Sequence, residues 1–523
     1  MELLTFGTLA IILYFKVPPK CQWKLILIIN IILYICFAGY VAFFYLLIVA
    51  FITFVIAIKI ENIDKIGKDL LIVTEDYQTR RIIRESISNV KKILCLIGIV
   101  LGTSIWIWAK YSDFLIVNVN KLLNILQIKY QDYSFHMVLS LGMSFYTFYA
   151  IGYLVDVYRG KYPAERNFGK YLTFLTFFLH IVQGPFSRYD ELGKSLFQKH
   201  SFTYMRLCTG CSRILWGITK KTVIADKIDI VITTIFSYYD EYSGIYIFFA
   251  LACYSIRLYA DFSGYMDIVC GFSYILDIEL KENFRQPYFA KSVDEFWRRW
   301  HITLGAWFKD YVFYPISMGK ISQKIGKWSR NTWGFAIGKL IPGYLALIGV
   351  WTLTGLWHGA NWGYLIWGYL NMIAILFSMQ FSGYSRRIQQ KMHLNTDSFF
   401  WKLFCMLKTF VFLSLFRLFA MTDNVHTAIL MLNHILLYPG FSILKSPEAL
   451  FVGMRYIEIF VFLFGVAAMF VIDILKEMGK WEKVKNKCPM LLKNLIYTVL
   501  ILSIILFAGE SNDLIGRFMY ANF

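Results

Sequence analysis

Imidazole is the side chain whose charge changes closest to neutral pH, so acid–base chemistry in this chain is first sought among its eight histidines. They are His136, His180, His200, His301, His358, His393, His426 and His434. His358 stands inside an apolar stretch, Ile341 to Phe377, that contains no Asp, Glu, Lys or Arg. An ionisable group at such depth is costly, and its default reading is a functional site. The run Trp357-His358-Gly359-Ala360-Asn361-Trp362-Gly363 interrupts the helical pattern with small residues. Irregular backbone among apolar helices is tolerated only where it is buried in protein or lines a wet cavity. The plain alternative is a hydrogen-bonded packing residue. His180 also ends an apolar run, but the turn at Gly184-Pro185 gives it a helix-end reading.

A second cluster joins Arg257, Asp261 and Asp267. Arg257 and Asp261 are i,i+4 neighbours on a helix, so they are expected to pair, with substrate contact by Asp261 as the sharper reading. Cys208 and Cys211 have redox spacing without a second pair, most of the nine cysteines sit in apolar runs, and no metal site is expected. Serine-hydrolase elbows, zinc-protease motifs and P-loops do not occur, which removes the reactions that need them.

The elements that must position these residues are membrane helices. The chain has 523 residues, 58% hydrophobic and 17% charged, against roughly 25% charged in soluble domains. A spanning helix needs about 20 apolar residues. Leu3 to Tyr14 reads as a retained first helix, and Leu25 to Ile60 as long enough to cross twice with Gly39 near the turn. Further runs lie near 93–109, 136–157, 170–184, 204–219, 243–260, 262–278, 341–357, 360–380, 403–421, 450–474 and 490–508. The fold class expected is an all-α integral membrane protein of about 11–13 spanning and re-entrant helices in one domain, residues 1–523. The net charge of +19 reflects basic loops, residues 61–92 and 476–493 among them, and places those loops in the cytoplasm by the positive-inside rule. No nucleic-acid partner is expected. Between Lys281 and Arg330, Ser292 and Glu295 form a capping box that opens a helix. Phe296, Trp300, Leu304, Trp307 and Tyr311 then fall on one stripe, with Arg298, Gly305 and Lys309 opposite. That pattern predicts one amphipathic interfacial helix with His301 at the border of its faces.

Several segments resemble one family, the membrane-bound O-acyltransferases, in its bacterial branch of alginate O-acetylation and teichoic-acid D-alanyl transfer proteins. They are SFYTFYAIGYLVDVYRGKYPAERN at 144–167, QGPFSRY at 183–189, a long segment at 259–316 containing YADFSGYMDIVCGF and FWRRWHITL, and LTGLWHGANWGYLIWGYLN at 353–371. They fall in the family's order across most of residues 140–375, a stretch that the resemblance marks as the catalytic core. After Tyr314-Pro315, where the alginate branch carries a Gly-Gly-Asn-Arg-like run, this chain reads Ile316-Ser317-Met318-Gly319-Lys320.

The resemblance implies a ring of tilted helices around a central tunnel, with His358 as the catalytic histidine and His301 as a second. A neutral imidazole would take the proton of the accepting hydroxyl. Asn361 would orient that imidazole or polarise the acyl carbonyl, and Arg298, Arg299 and Lys309 would attract a charged donor. The donor expected is a cytoplasmic thioester, acetyl-CoA or an acyl carrier protein, with no bound cofactor. The acceptor is a cell-surface or exported polysaccharide, reached through an extracytoplasmic hydrolase-like partner. The setting is the bacterial cytoplasmic membrane with its lipids. A transporter pathway through Arg257, Asp261 and Asp267, or a scaffold, are the readings from other classes. Paired repeats of the transporter kind do not appear.

Overall fold

Helices dominate because a backbone removed from water must satisfy its N–H and C=O groups within its own segment. The structure, a computed structural model, describes residues 9, 11–128, 141–422 and 424–507. His136 and most of the expected first helix, Leu3 to Tyr14, lie outside the described residues. No strand occurs among the described residues. Among the described residues eight helices are long and apolar enough to cross a membrane, and the protein is an all-α integral membrane protein.

By its internal contacts the chain divides into two compact units, one made of residues up to Gly210 with Val269–Lys281, the other of Cys211–Ile268 and the residues from Glu282 onward. The first begins with α1 (Gln22–Val73) and α2 (Tyr77–Ile125). Gly39 interrupts α1 at φ 83°, ψ 164°, a conformation that glycine alone adopts without strain, so the apolar run bends where a turn is expected. Two shorter helices pack against α1 and α2, α3 (Met143–Tyr158, 16 residues) and α4 (Phe168–Thr176, 9 residues). Both fall short of the roughly 20 residues a crossing requires. The break after α4 is held by polar side chains. Asn30, 1% exposed, donates to Thr176 Oγ1 at 3.2 Å and accepts from Phe178 N at 3.0 Å. His180, fully buried, binds the Phe174 carbonyl at 2.9 Å through Nε2 and stacks on Tyr149 with ring centroids 4.1 Å apart.

The second unit is organised on α5 (Tyr204–Thr219), a π-helical turn (Lys220–Ala225), α6 (Asp226–Ser237) and α7 (Gly244–Ile275). Of these, α5 from Cys211 and α7 as far as Ile268 belong to it. The two spans expected at 243–260 and 262–278 are one 32-residue helix. Asp261, Gly264 and Asp267 do not break it, because each is matched from outside. A Cβ on Gly264 would lie 2.8 Å from the Gly217 carbonyl, so α5 and α7 touch backbone to backbone there. The wider π turn lets two consecutive lysines face α7. Lys220 reaches Asp267 at 2.7 Å and Ser263 at 2.8 Å, and Lys221 reaches Asp261 at 2.7 Å and Asp226 at 2.9 Å. The expected Arg257–Asp261 pair is not formed. Arg257 pairs with Asp229 of α6 at 2.9 Å, since a neighbouring helix offers each charge a partner.

Lys221 and Asp261 are each under 3% exposed, so breaking their pair strands a charge. Removing one partner of a buried pair costs about 3–5 kcal/mol, whereas apolar replacement of both is often neutral. Lys221→Met should therefore lower the thermal midpoint of the purified protein sharply. The double variant Lys221→Met/Asp261→Leu should recover only part of that loss, since Asp226 also loses its lysine.

Candidate active site

α11 (Ile341–His358) and α12 (Trp362–Lys391) form a tight hairpin that ends the apolar run at His358; between them and α7 come α8 (Val293–Arg299), α9 (Ile302–Phe308) and α10 (Lys320–Trp333). Gly355 and Gly368 allow the close approach of the hairpin: Cβ atoms there would lie 2.8 Å from the Tyr364 carbonyl and 2.9 Å from the Trp351 carbonyl. The reversal is fixed by Asn361, whose Oδ1 accepts from Gly363 N at 2.9 Å and caps α12. The Asn361 side chain thus shapes the backbone that presents His358. The imidazole of His358 sits edge-on to Trp357 and Trp367, with centroids 4.8 and 4.9 Å away, and stacks over Tyr364 at 6.0 Å.

His301 occupies a second reversal. The single amphipathic helix expected from Ser292 to Tyr311 is two short helices, α8 and α9, with His301 between them at φ 47°, ψ 50°. A stripe at helical spacing looks the same whether or not the helix is broken, and the left-handed residue at its centre leaves no mark in the pattern. The apolar stripe is nevertheless buried, with Phe296 at 1% and Trp300 at 4% exposure. Ser292 caps α8 by accepting from Glu295 N at 3.2 Å, while Glu295 reaches back to Lys291 N at 2.9 Å. Trp297 ties α8 to α12, donating from Nε1 to Asn371 Oδ1 at 3.0 Å. His301 is 4% exposed, edge-on to Phe262 at 4.9 Å, and 6.2 Å from the indole of Trp357. His301 and His358 therefore border the same tryptophan, itself fully buried.

Burial, and next to it the charge that His358 can carry, push the His301 pKa well below the usual histidine range. Its resting form is the neutral imidazole. His180 is likewise buried and pushed down to about 3, but its ring is committed to holding the end of α4.

The remaining expected site residues have separate surroundings. Arg299, 7% exposed, is clamped by Glu295 at 2.8 Å and by Glu477 of α15 (Tyr456–Glu477) at 2.8 and 2.9 Å. Its charge is matched by carboxylates inside the protein rather than offered to a donor. Arg298 is exposed and pairs with Asp294 at 2.5 Å, and Lys309 is exposed over the Tyr314 ring. Asp261 is enclosed by Lys221. Among the described residues no group of three or more His, Cys, Asp or Glu side chains is placed to hold a metal ion. Sequence reasoning missed Asn283, whose Oδ1 contacts His301 Nδ1 at 3.1 Å. It lies 18 positions away in a segment outside any helix, where no periodicity singles it out.

Comparison with known proteins agrees with the resemblance in the sequence. Residues 92–332 match the model of the MBOAT, membrane-bound O-acyltransferase family. The matched stretch includes His301 and Asp261 and ends before His358 and Asn361. A probable alginate O-acetylase of Azotobacter vinelandii is 36% identical over 52% of this chain and 50% of its own. A peptidoglycan O-acetyltransferase of Helicobacter pylori is 28% identical over 69% and 68%, and a teichoic acid D-alanyltransferase of Bacillus subtilis 29% over 45% and 57%. The chain spans about half the length of the alginate relatives it matches.

Arg299→Gln should lose roughly 3 kcal/mol of stability, the lower end for a broken buried pair, while exposed Arg298→Gln should change it by less than about 0.5 kcal/mol. Thermal unfolding of the two purified variants checks this. The lowered pKa of His301 and His180 also sets a pH window. Between their folded pKa values and about 6.5 the unfolded chain binds protons that these rings refuse, so stability rises with pH across that window. Each ring contributes a slope of up to about 1.4 kcal/mol per pH unit. Unfolding of His301→Gln between pH 5 and 7 should show a shallower slope than wild type.

Proposed function

We propose that the chain is a membrane O-acyltransferase that moves an acyl group, acetyl in the simplest case, from a cytoplasmic thioester for O-acetylation of a cell-surface or exported polysaccharide. The observation that carries this reading is that His301, inside the stretch that matches the acyltransferase family, and His358 both border Trp357. The 36% identity to a probable alginate O-acetylase and the 28% identity to a peptidoglycan O-acetyltransferase support acetyl transfer over the D-alanyl reading, whose relative is 29% identical over a smaller share of the chain. The setting proposed is the bacterial cytoplasmic membrane.

The chemistry follows from the neutral imidazole. His358 takes the proton of the accepting hydroxyl as its oxygen attacks the thioester carbonyl. The tetrahedral adduct collapses by expelling the thiolate, which recovers the proton from the imidazolium. His301, held neutral by burial, spares His358 a fixed positive neighbour. The donor is acetyl-CoA or an acyl carrier protein, attracted by exposed Arg298 and Lys309. Because an exported polysaccharide lies beyond the membrane, the hydroxyl acylated at His358 is one presented by a hydrolase-like extracytoplasmic partner, which holds the acyl group as an ester and passes it on to a hydroxyl of the polysaccharide.

The reading is tested by saponifying cell envelopes and quantifying ester-linked acetate and D-alanine in cells carrying wild type or His358→Ala at equal protein levels. Loss of a general base costs about 10²–10⁴-fold in rate, so acetate should fall to background with D-alanine unchanged. Loss of D-alanine instead would assign teichoic-acid esterification, and no change in either would remove the catalytic role of His358.

A further inference from the structure

The segment Glu282–Gln286, outside any helix and left-handed at Gln286, runs beside the His301 reversal and bonds to it from both sides. Arg285 N donates to the Arg299 carbonyl at 3.0 Å, and Ile302 N to the Asn283 carbonyl at 3.0 Å. The segment is anchored at its start by Glu282, which takes two bonds of 2.7 Å from the Arg213 guanidinium; that guanidinium also reaches Asp267 of α7 at 2.9 Å. Glu282, Phe284 and Gln286 line a cavity of about 50 Å³ with Arg213, Lys220 and Asp267. The side chain of Asn283, 1% exposed, lies against His301.

There Asn283 Oδ1 meets three groups: Thr303 N at 3.2 Å, Thr303 Oγ1 at 2.9 Å and His301 Nδ1 at 3.1 Å. A backbone N–H is always a donor, so the atom facing Thr303 N must be the amide oxygen. Asn283 Nδ2 accordingly faces an acceptor, Met266 Sδ, at 3.5 Å. An amide oxygen only accepts, so His301 Nδ1 must carry the ring proton. Asn283 also does what His301 does not do with its own side chain: it satisfies an N–H in the first turn of α9, whose N-cap is His301.

We propose that Asn283 is a positioning residue of the acyl-transfer site, fixing His301 in the left-handed reversal and in the Nδ1–H tautomer, so that Nε2 holds the lone pair available for a proton. Without it, Nδ1 loses the acceptor that dictates its proton, and the strained backbone at His301 loses its anchor. Of the titratable groups around the ring, His358 acts on it electrostatically; its contacts with Asn283, Phe262 and Trp357 are with uncharged side chains. The proposal rests on reading His301 as part of the reaction site.

The test uses the full-length protein in lipid nanodiscs with ¹⁵N-labelled histidine, the His301 signals being assigned by their loss in His301→Gln. Wild type should show His301 as the neutral Nδ1–H tautomer at pH 7. Asn283→Asp keeps an acceptor for the same donors and, as Asp and Asn cap helices about equally, preserves the structural role. Its added charge should raise the His301 pKa by more than one pH unit and lower envelope acetate at least tenfold. Asn283→Ala should mix the tautomers. An Nε2–H tautomer in wild type, or an unshifted His301 titration in folded Asn283→Asp, would overturn the proposal. Because the tautomer is read without turnover, unchanged acetate in His301→Gln would instead remove the site reading on which the proposal rests.

Discussion

A polar or charged side chain carried into an apolar helix has no water to bond, and its partner must come from elsewhere in the same chain. This requirement accounts for the internal architecture of the second unit. Lys220 and Lys221 follow each other on one turn, yet each reaches a carboxylate of α7, because a π turn presents consecutive residues to one neighbour. Those pairs keep a 32-residue helix continuous through Asp261 and Asp267. The same helix carries Phe262 against His301, so the ion pairs and the candidate site share one structural member.

The three histidines singled out in the sequence meet the requirement differently, and the difference separates structure from chemistry. His180 commits its ring to a backbone carbonyl and closes a broken helix. His301 has one nitrogen held by an amide, which fixes the ring while burial keeps it neutral. His358 is surrounded by aromatic faces at the end of α11, where the helix stops because Asn361 starts the next one. Trp357 borders both of the last two rings, and Trp297 joins the helix before His301 to the hairpin that carries His358. Two chain reversals far apart in sequence are brought to one aromatic cluster.

Charge matching also decides what the basic residues do. Arg298 and Arg299 are adjacent and indistinguishable by composition. One faces solvent, and the other is locked between Glu295 and Glu477. A guanidinium with two carboxylates fastens α8 to α15, whereas its neighbour keeps a charge at the surface.

The membrane class, most helix positions, the bend at Gly39 and the interest of His301 and His358 are legible in the sequence, because hydropathy and the scarcity of ionisable groups in apolar runs are local properties. The buried stripe Phe296, Trp300 and Leu304 is legible for the same reason. What the sequence alone does not determine is which partner each charge takes. The i,i+4 rule pairs Arg257 with Asp261, but α6 and the π turn offer each a better placed opposite charge. Nor does periodicity reveal that the stripe breaks at His301, since helical spacing on either side of one left-handed residue stays in phase by eye. Asn283 carries no local signal at all. Its role exists only because a non-helical segment folds back along the reversal, and hydrogen bonding across that distance is a property of the tertiary structure.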